Sequence, residues 1–242
     1  MNLIIDVGNT FVKFAVFEKK ELVHKVSFEL SEFRKQYESL KKSFPRFEKA
    51  IISSVGRLSK KQIDAIDDGL DVFLLNHKTK LPFKNLYKTP ETLGVDRIAL
   101  VSASVNQFPE HNTLIIDAGT CITYDFVTDK NEYLGGAISP GIRLRYHTLH
   151  NLTANLPLLE KNQPKTIIGD STVASIHSGV VIGVTKEIDG VIDQYKEKHQ
   201  DLTVILTGGD ANFLSDQLKN SIFANSNFLL EGLNFILDFN SK

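Results

Sequence analysis

Cysteine is nearly missing from this sequence of 242 residues, where Cys121 stands alone. No internal disulfide can form, and a cysteine-rich metal centre is excluded. The lone thiol reads first as a small buried side chain and second as a redox or nucleophilic group. An excess of either charge is also lacking. With 28 basic and 29 acidic residues the formal net charge is −1, which gives no electrostatic footing for nucleic acid. The doublets Lys19-Lys20, Lys41-Lys42 and Lys60-Lys61 lie far apart along the chain and read as solvated surface. No apolar run approaches the ~20 residues that span a bilayer, and no basic stretch leads into an apolar one as in a signal peptide. The expectation is a cytoplasmic protein with no membrane or nucleic-acid partner. The seven histidines form no metal constellation: His147 and His150 are placed to share a helical face, with no third ligand. Low-complexity segments are absent as well.

What is present is a repeat. Leu3-Ile4-Ile5-Asp6-Val7-Gly8 returns 111 positions later as Leu114-Ile115-Ile116-Asp117-Ala118-Gly119. Each copy is an apolar run ending in Asp-x-Gly, followed by Asn9-Thr10 or Thr120 and then by another strand-like run. Two similar halves are expected, 1–110 and 111–242, each presenting a carboxylate and backbone N–H groups. The first half reads β-β-β-α-β-α-β. Its opening strands are Leu3–Val7, Phe11–Phe17 and Leu22–Phe28, joined by short hairpin connections. A helix follows with Phe33, Tyr37 and Leu40 on one face, then a strand Lys49–Val55, a helix capped by Ser59 with Ile63 and Ile66, and a strand Asp71–Leu75. Residues 76–91 make a polar connection long enough to be functional. A helix then runs from near Gly94 to about Gln107. The second half repeats the opening with Leu114–Ile116, Ile122–Val127 and Tyr133–Ile138. It continues with helices over Ile142–Leu152 and Ser171–Lys198, a strand Thr203–Thr207, and a terminal helix Glu231–Phe239. The small residues Ser175, Ser178, Gly179 and Gly183 suit close helix approach, within the domain or across a dimer.

The paired turns suit a triphosphate and its cations. Glycine at positions 8 and 119 permits positive φ, so that successive N–H groups converge on an anion. The hydroxyls of Thr10 and Thr120 add donors. Asp6 and Asp117 repel phosphate and make sense through an intervening cation or its water shell, while Lys13 supplies positive charge near the first turn. In Leu206-Thr207-Gly208-Gly209-Asp210 two glycines between strand and helix let the backbone approach a flat ligand such as adenine–ribose; a plain strand-to-helix turn is the competing reading. Asp96 reads either as a first-turn acid complementing the helix dipole or as a general base. Arg97 suits a substrate carboxylate or a structural ion pair.

Paired Asp-x-Gly turns with a Gly-Gly turn resemble the superfamily of acetate and sugar kinases, heat-shock chaperones and actin. Within it, five segments from Met1 to about Phe239 resemble type III pantothenate kinases: Asp6-Val7-Gly8-Asn9-Thr10, Gly94-Val95-Asp96-Arg97, Asp117-Ala118-Gly119-Thr120, Gly135-Gly136-Ala137-Ile138-Ser139-Pro140-Gly141 and Thr207-Gly208-Gly209. Val95 departs from the family's more usual Ala, and the loops of the last third are short. The resemblance implies an α/β fold of two ribonuclease-H-like domains, the actin-like ATPase fold, around a nucleotide cleft. It implies ATP-dependent phosphorylation of pantothenate, with Mg2+ accompanying ATP. Asp6, Val7, Gly8, Asn9, Thr10, Phe11, Val12 and Lys13 would line the phosphates, and Thr120, Gly208 and Gly209 would also meet ATP. Asp117 would help hold a monovalent cation, K+ or NH4+. Tyr87, Gly94, Val95, Asp96, Arg97 and Thr172 would surround pantothenate, with Asp96 as proton acceptor. A homodimer is also implied. Two alternatives stand beside this reading: another small-molecule kinase acting on a sugar or acid, and a nucleotide-binding regulator without catalysis.

Overall fold

A computed structural model describes residues 1–54, 58, 63, 66 and 70–241. The chain divides into two compact units, one comprising Met1–Pro109, Asn131–Tyr133 and Asn227–Lys242, the other Glu110–Lys130 and Leu134–Ser226.

The first unit is built on a sheet in the order β3-β2-β1-β4-β5, with β1 Asn2–Val7, β2 Val12–Glu18, β3 Glu21–Phe28, β4 Lys49–Ser54 and β5 Asp71–Leu74. β1 pairs antiparallel with β2 and parallel with β4, so every residue of β1 is buried and its sequence runs apolar without alternation. On one face lies α1, Phe33–Ser43, whose Phe33, Tyr37 and Leu40 are the buried positions. Their rings meet Phe14 edge-on, with centroids 5.2 Å (Phe33) and 6.3 Å (Tyr37) away, and Phe28 joins at 4.7 Å. The helix expected from Ser59, and Val55 at the end of the fourth strand, fall outside the described residues. Of that helix Ile63 and Ile66 are described; Ile66 is buried, and its carbonyl accepts from the Tyr37 hydroxyl (3.2 Å).

The long connection after β5 is tied down by a two-residue strand, β6 Lys84–Asn85, which pairs with Glu132 and Tyr133. It leads through a 3-10 turn, Pro90–Thr92, to α2, Val95–Gln107, in which every residue from Arg97 to Val105 is buried. That burial needs a partner, and the last helix of the chain supplies it. This helix, Phe228–Asn240, was expected with residues 111–242 but packs in the first unit. Gly232 makes the approach possible, since a Cβ there would stand 2.0 Å from the Ala99 carbonyl oxygen. Asn234 ties the same helix to the sheet by accepting from Asn2 (2.8 Å) and donating to the Lys19 carbonyl (2.8 Å).

The second unit repeats the opening hairpin with β7 Asn112–Ala118 and β8 Cys121–Val127. β9 Glu132–Pro140 lies beside β8, and β10 Leu202–Thr207 runs parallel to β7, with β11 Phe223–Ala224 at the edge. Against this sheet pack α3 Ile142–Asn151, α4 Thr172–His177 and α5 Gly183–Lys198; α6 Ala211–Ser215 follows β10, and the C-terminal helix of the first unit becomes α7. The single helix expected over Ser171–Lys198 is interrupted by a π-helical turn, Ser178–Ile182, between α4 and α5.

Candidate active site

In the first unit the β1–β2 hairpin sets Asp6 opposite Lys13, whose Nζ lies 3.4 Å from Oδ2. Asp6 is buried, and burial pushes its carboxyl above the ordinary range. Lys13 pulls it back down by charge and hydrogen bond, and the charge of Asp96 pushes it up again. Two carboxylates therefore share one region, with the half-exposed Lys13 ammonium as a counter-charge to Asp6.

The hairpin turn departs from expectation in one respect. Neither Gly8 nor Gly119 has positive φ; among the described residues the glycines that do are Gly135 and Gly208. The Gly8 N–H closes its own turn on the Phe11 carbonyl (3.1 Å), and the Gly119 N–H does the same on Cys121 (3.0 Å). What position 8 needs is space, because a Cβ there would come within 3.2 Å of the Phe11 carbonyl oxygen. Thr10 and Asn9 follow at the open end of the turn, and Phe11, largely exposed, leads into Val12.

The Gly94–Arg97 tetrad opens α2. Gly94 occupies the N-cap position, and the Asp96 carboxylate folds back to accept the Arg97 N–H (2.9 Å). In that pose Oδ1 sits where a side chain on residue 94 would be, only 2.3 Å from a Cβ. Glycine is thus what lets the carboxylate take this position. Val95 and Asp96 remain partly accessible, whereas Arg97 turns inward. Its guanidinium lies 5.6 Å from the Tyr87 ring and 6.0 Å from the Tyr133 ring, and these two rings stack 6.0 Å apart. Tyr87 is placed by β6: its N–H donates to Asn85 Oδ1 (3.0 Å), and the neighbouring Leu86 N–H donates to the Tyr133 carbonyl (3.0 Å). Tyr133 has no counterpart in the sequence reading, where it merely opened a strand. Its pairing with β6 is long-range and leaves no local signal.

In the second unit Asp117, the last residue but one of β7, lies directly beside Thr207 of β10. Gly208 follows at φ 97°, the left-handed region that favours glycine. A Cβ there would stand 2.4 Å from both the Ala118 carbonyl oxygen and Asp117 Oδ1. The Asp210 N–H donates to that same Ala118 carbonyl (2.9 Å), while Lys161 bonds the Asp210 carboxylate. Gly209 differs: a side chain at 209 would meet nothing within 4 Å. The fold itself demands glycine at 208 and leaves open space at 209. Thr120, in the repeat's second turn, is braced by Gly141, whose N–H donates to its carbonyl (3.1 Å). Thr172 begins α4 behind Ser171, whose hydroxyl accepts from the Ala174 N–H (3.3 Å). It lines an apolar groove of about 750 Å3 with Pro140, Leu149, Ile176 and Val180. Cys121 is half-buried at the start of β8.

The structure therefore gathers Asp6–Lys13, Tyr87 and Gly94–Arg97 in one unit. Asp117, Thr120, Gly208 and Gly209 stand at the ends of β7 and β10 in the other, and Thr172 lies along the groove of that unit. Among the described residues no group of three or more His, Cys, Asp or Glu is placed to hold a metal. The available donors are single carboxylates with backbone carbonyls, a set that suits hard cations completed by water or phosphate oxygens. Asp6, under-compensated by Lys13, fits Mg2+ with a triphosphate. Asp117, with the Ala118 carbonyl close to the same Gly208, fits a monovalent ion.

The α/β fold is the actin-like ATPase fold, shared with solved structures at low sequence identity. A Campylobacter jejuni protein named for the Baf family of transcriptional activators superposes with a TM-score of 0.65 at 20% identity, covering 98% of each chain. At that identity the likeness carries the fold alone. Closer relatives are found by sequence. A type III pantothenate kinase of Christiangramia forsetii is 54% identical over 240 residues, 99% of each chain, and one of Flavobacterium johnsoniae is 52% identical over 96% of each. The family model described as type III pantothenate kinase matches residues 2–194. The chain belongs to the type III pantothenate kinase family.

The environment of Asp6 has a consequence for stability. Its folded-state pKa is raised, so the native state is favoured while the carboxyl is protonated and loses that advantage as pH rises through the folded value. Asp6→Asn carries no such penalty. Without ligands, its melting temperature is expected to exceed the parent's near pH ~7, and the difference should shrink as pH falls toward the ordinary carboxylate range of about 4. Thermal melts across that range test this; a variant less stable than the parent at neutral pH contradicts it.

Proposed function

We infer that this chain transfers the γ-phosphoryl group of ATP to the primary hydroxyl of pantothenate, forming 4'-phosphopantothenate and ADP, the first step toward coenzyme A. The observation that carries the reading is the Gly94–Arg97 tetrad, set at a helix start beside the Asp6 hairpin and lying within the segment that matches the family.

Asp96 accepts the proton from the substrate hydroxyl as its oxygen attacks the γ-phosphorus and the bond to the β-phosphate bridging oxygen breaks. Its partly accessible carboxylate, presented over Gly94, suits that task. Arg97, buried beside the Tyr87 and Tyr133 rings, supplies positive charge on the side of the substrate carboxylate. Residues Asp6 to Lys13 follow the phosphates, with Lys13 supplying positive charge. Mg2+ at Asp6 supplies screening of the phosphate charge when bound. Thr120 contacts ATP, and the open space at Gly209 admits the adenosine end. Asp117 holds K+ or NH4+. Each unit is read as one ribonuclease-H-like domain. We place the protein's work in the cytoplasm; among the described residues no helix is long and apolar enough to cross a membrane.

A second copy of the chain is the proposed occupant of the apolar groove along α3 and α4. The same unit also exposes Leu152, Ile167, Ile168 and Val173, the last on α4 itself. Sedimentation equilibrium is expected to give a dimer, and a monomer at micromolar concentration contradicts this.

The decisive assay follows ADP release with ATP and either pantothenate or a panel of sugars and short hydroxy acids. Turnover should require pantothenate, and the KM for ATP should rise when K+ and NH4+ are replaced by Na+. Turnover on a sugar but not on pantothenate overturns the substrate, while indifference to the monovalent ion overturns the role of Asp117.

A further inference from the structure

The second unit holds a chain of polar contacts centred on Arg145, which with Pro140 also lines the apolar groove. Arg145, near the start of α3, aims its guanidinium at the end of β9. Nε donates to the Pro140 carbonyl (2.9 Å) and Nη2 to the Ser139 hydroxyl (3.0 Å). Nη2 also donates to Oε2 of Glu187 on α5, whose other oxygen accepts from the Tyr124 hydroxyl on β8 (3.0 Å). From Pro140 the contacts lead on to the repeat's second turn, because the Gly141 N–H donates to the Thr120 carbonyl. Contact there is tight: a Cβ on residue 141 would stand 2.2 Å from the Gly119 carbonyl oxygen and 2.5 Å from that of Thr120.

The end of β9 needs such a hold. Ile138 and Pro140 are exposed, and Pro140 has no N–H with which to bond a neighbouring strand. Arg145 meets the segment with two separate N–H groups of one planar fork, which fixes orientation as well as distance. Burial works against the charge on Glu187. Bonds from Arg145, Ser139 and Tyr124 outweigh it and hold the carboxyl below its ordinary value. Burial, then the Glu187 charge, pushes the Tyr124 hydroxyl up, so it stays a donor. This chain of contacts is thus charged and satisfied at neutral pH.

We propose that Arg145, oriented by Glu187, is a positioning residue that holds Ser139–Gly141 against the Gly119–Thr120 turn and so sets where Thr120 meets ATP. The inference rests on the reading of Thr120 as an ATP contact. Losing the fork lets the turn relax without removing any group that touches substrate.

A double-mutant cycle on the KM for ATP tests this, using Thr120→Ala, Arg145→Gln and the pair in the full-length protein. Each single change is expected to raise the KM by about 10-fold, and the pair by little more than either alone, because both act at one contact. Arg145→Lys should not rescue, since an ammonium cannot reproduce the fork. If Arg145→Gln fails to fold, Ser139→Ala takes its place in the cycle and is expected to give a smaller rise with the same non-additivity. Multiplicative effects in the pair, a silent Arg145→Gln, or full rescue by lysine overturns the positioning role while leaving Thr120 in place. A silent Thr120→Ala removes the ATP contact itself and the proposal with it.

Discussion

A buried carboxylate with too little positive charge around it governs the first unit. Asp6 lies near the end of a strand buried along its length, so little solvent is left to share its charge. Lys13 lies across the hairpin but remains half in solvent, and Asp96 adds a second negative charge. Such an arrangement is costly for an unliganded fold and sensible for one that meets a cation carried in by a triphosphate. Burial of β1, the pairing with β4, and the tight packing of α7 on α2 through Gly232 all serve to hold this hairpin and the start of α2 in one frame.

The second unit uses the same strand–turn–strand device for a different end. Its carboxylate, Asp117, is only partly buried, and it shares the end of its strand with Gly208, a residue the local packing requires to be glycine. The repeat is therefore one of backbone, while the chemistry has diverged. One acid faces a lysine across its hairpin, and the other stands beside the Ala118 carbonyl and the turn at Gly208.

Much of this was legible from residue order. The Asp-x-Gly turns, the strands around them and the helix starting at Gly94 depend on local periodicity and on residues with narrow backbone preferences. Three features escaped because they depend on distant partners. The last helix belongs to the first unit because its apolar face matches α2, which composition alone does not reveal. Tyr133 becomes part of the Arg97 environment only through its pairing with β6. Arg145 and Glu187 sit 42 positions apart on separate helices, with no local pattern to join them. A fourth feature inverted its expected reason: Gly8 provides room beside the Phe11 carbonyl oxygen, and positive φ occurs at Gly208 instead.

The central claim is that Asp96 of the tetrad accepts the proton of the substrate hydroxyl. Steady-state kinetics of Asp96→Asn test it most directly, because the amide keeps the shape of the side chain and cannot accept the proton. The account predicts a kcat lower by roughly 10²–10⁴-fold, with the KM values for ATP and pantothenate within about 3-fold of the parent. A kcat close to the parent's, or a loss that lies wholly in KM, would contradict it.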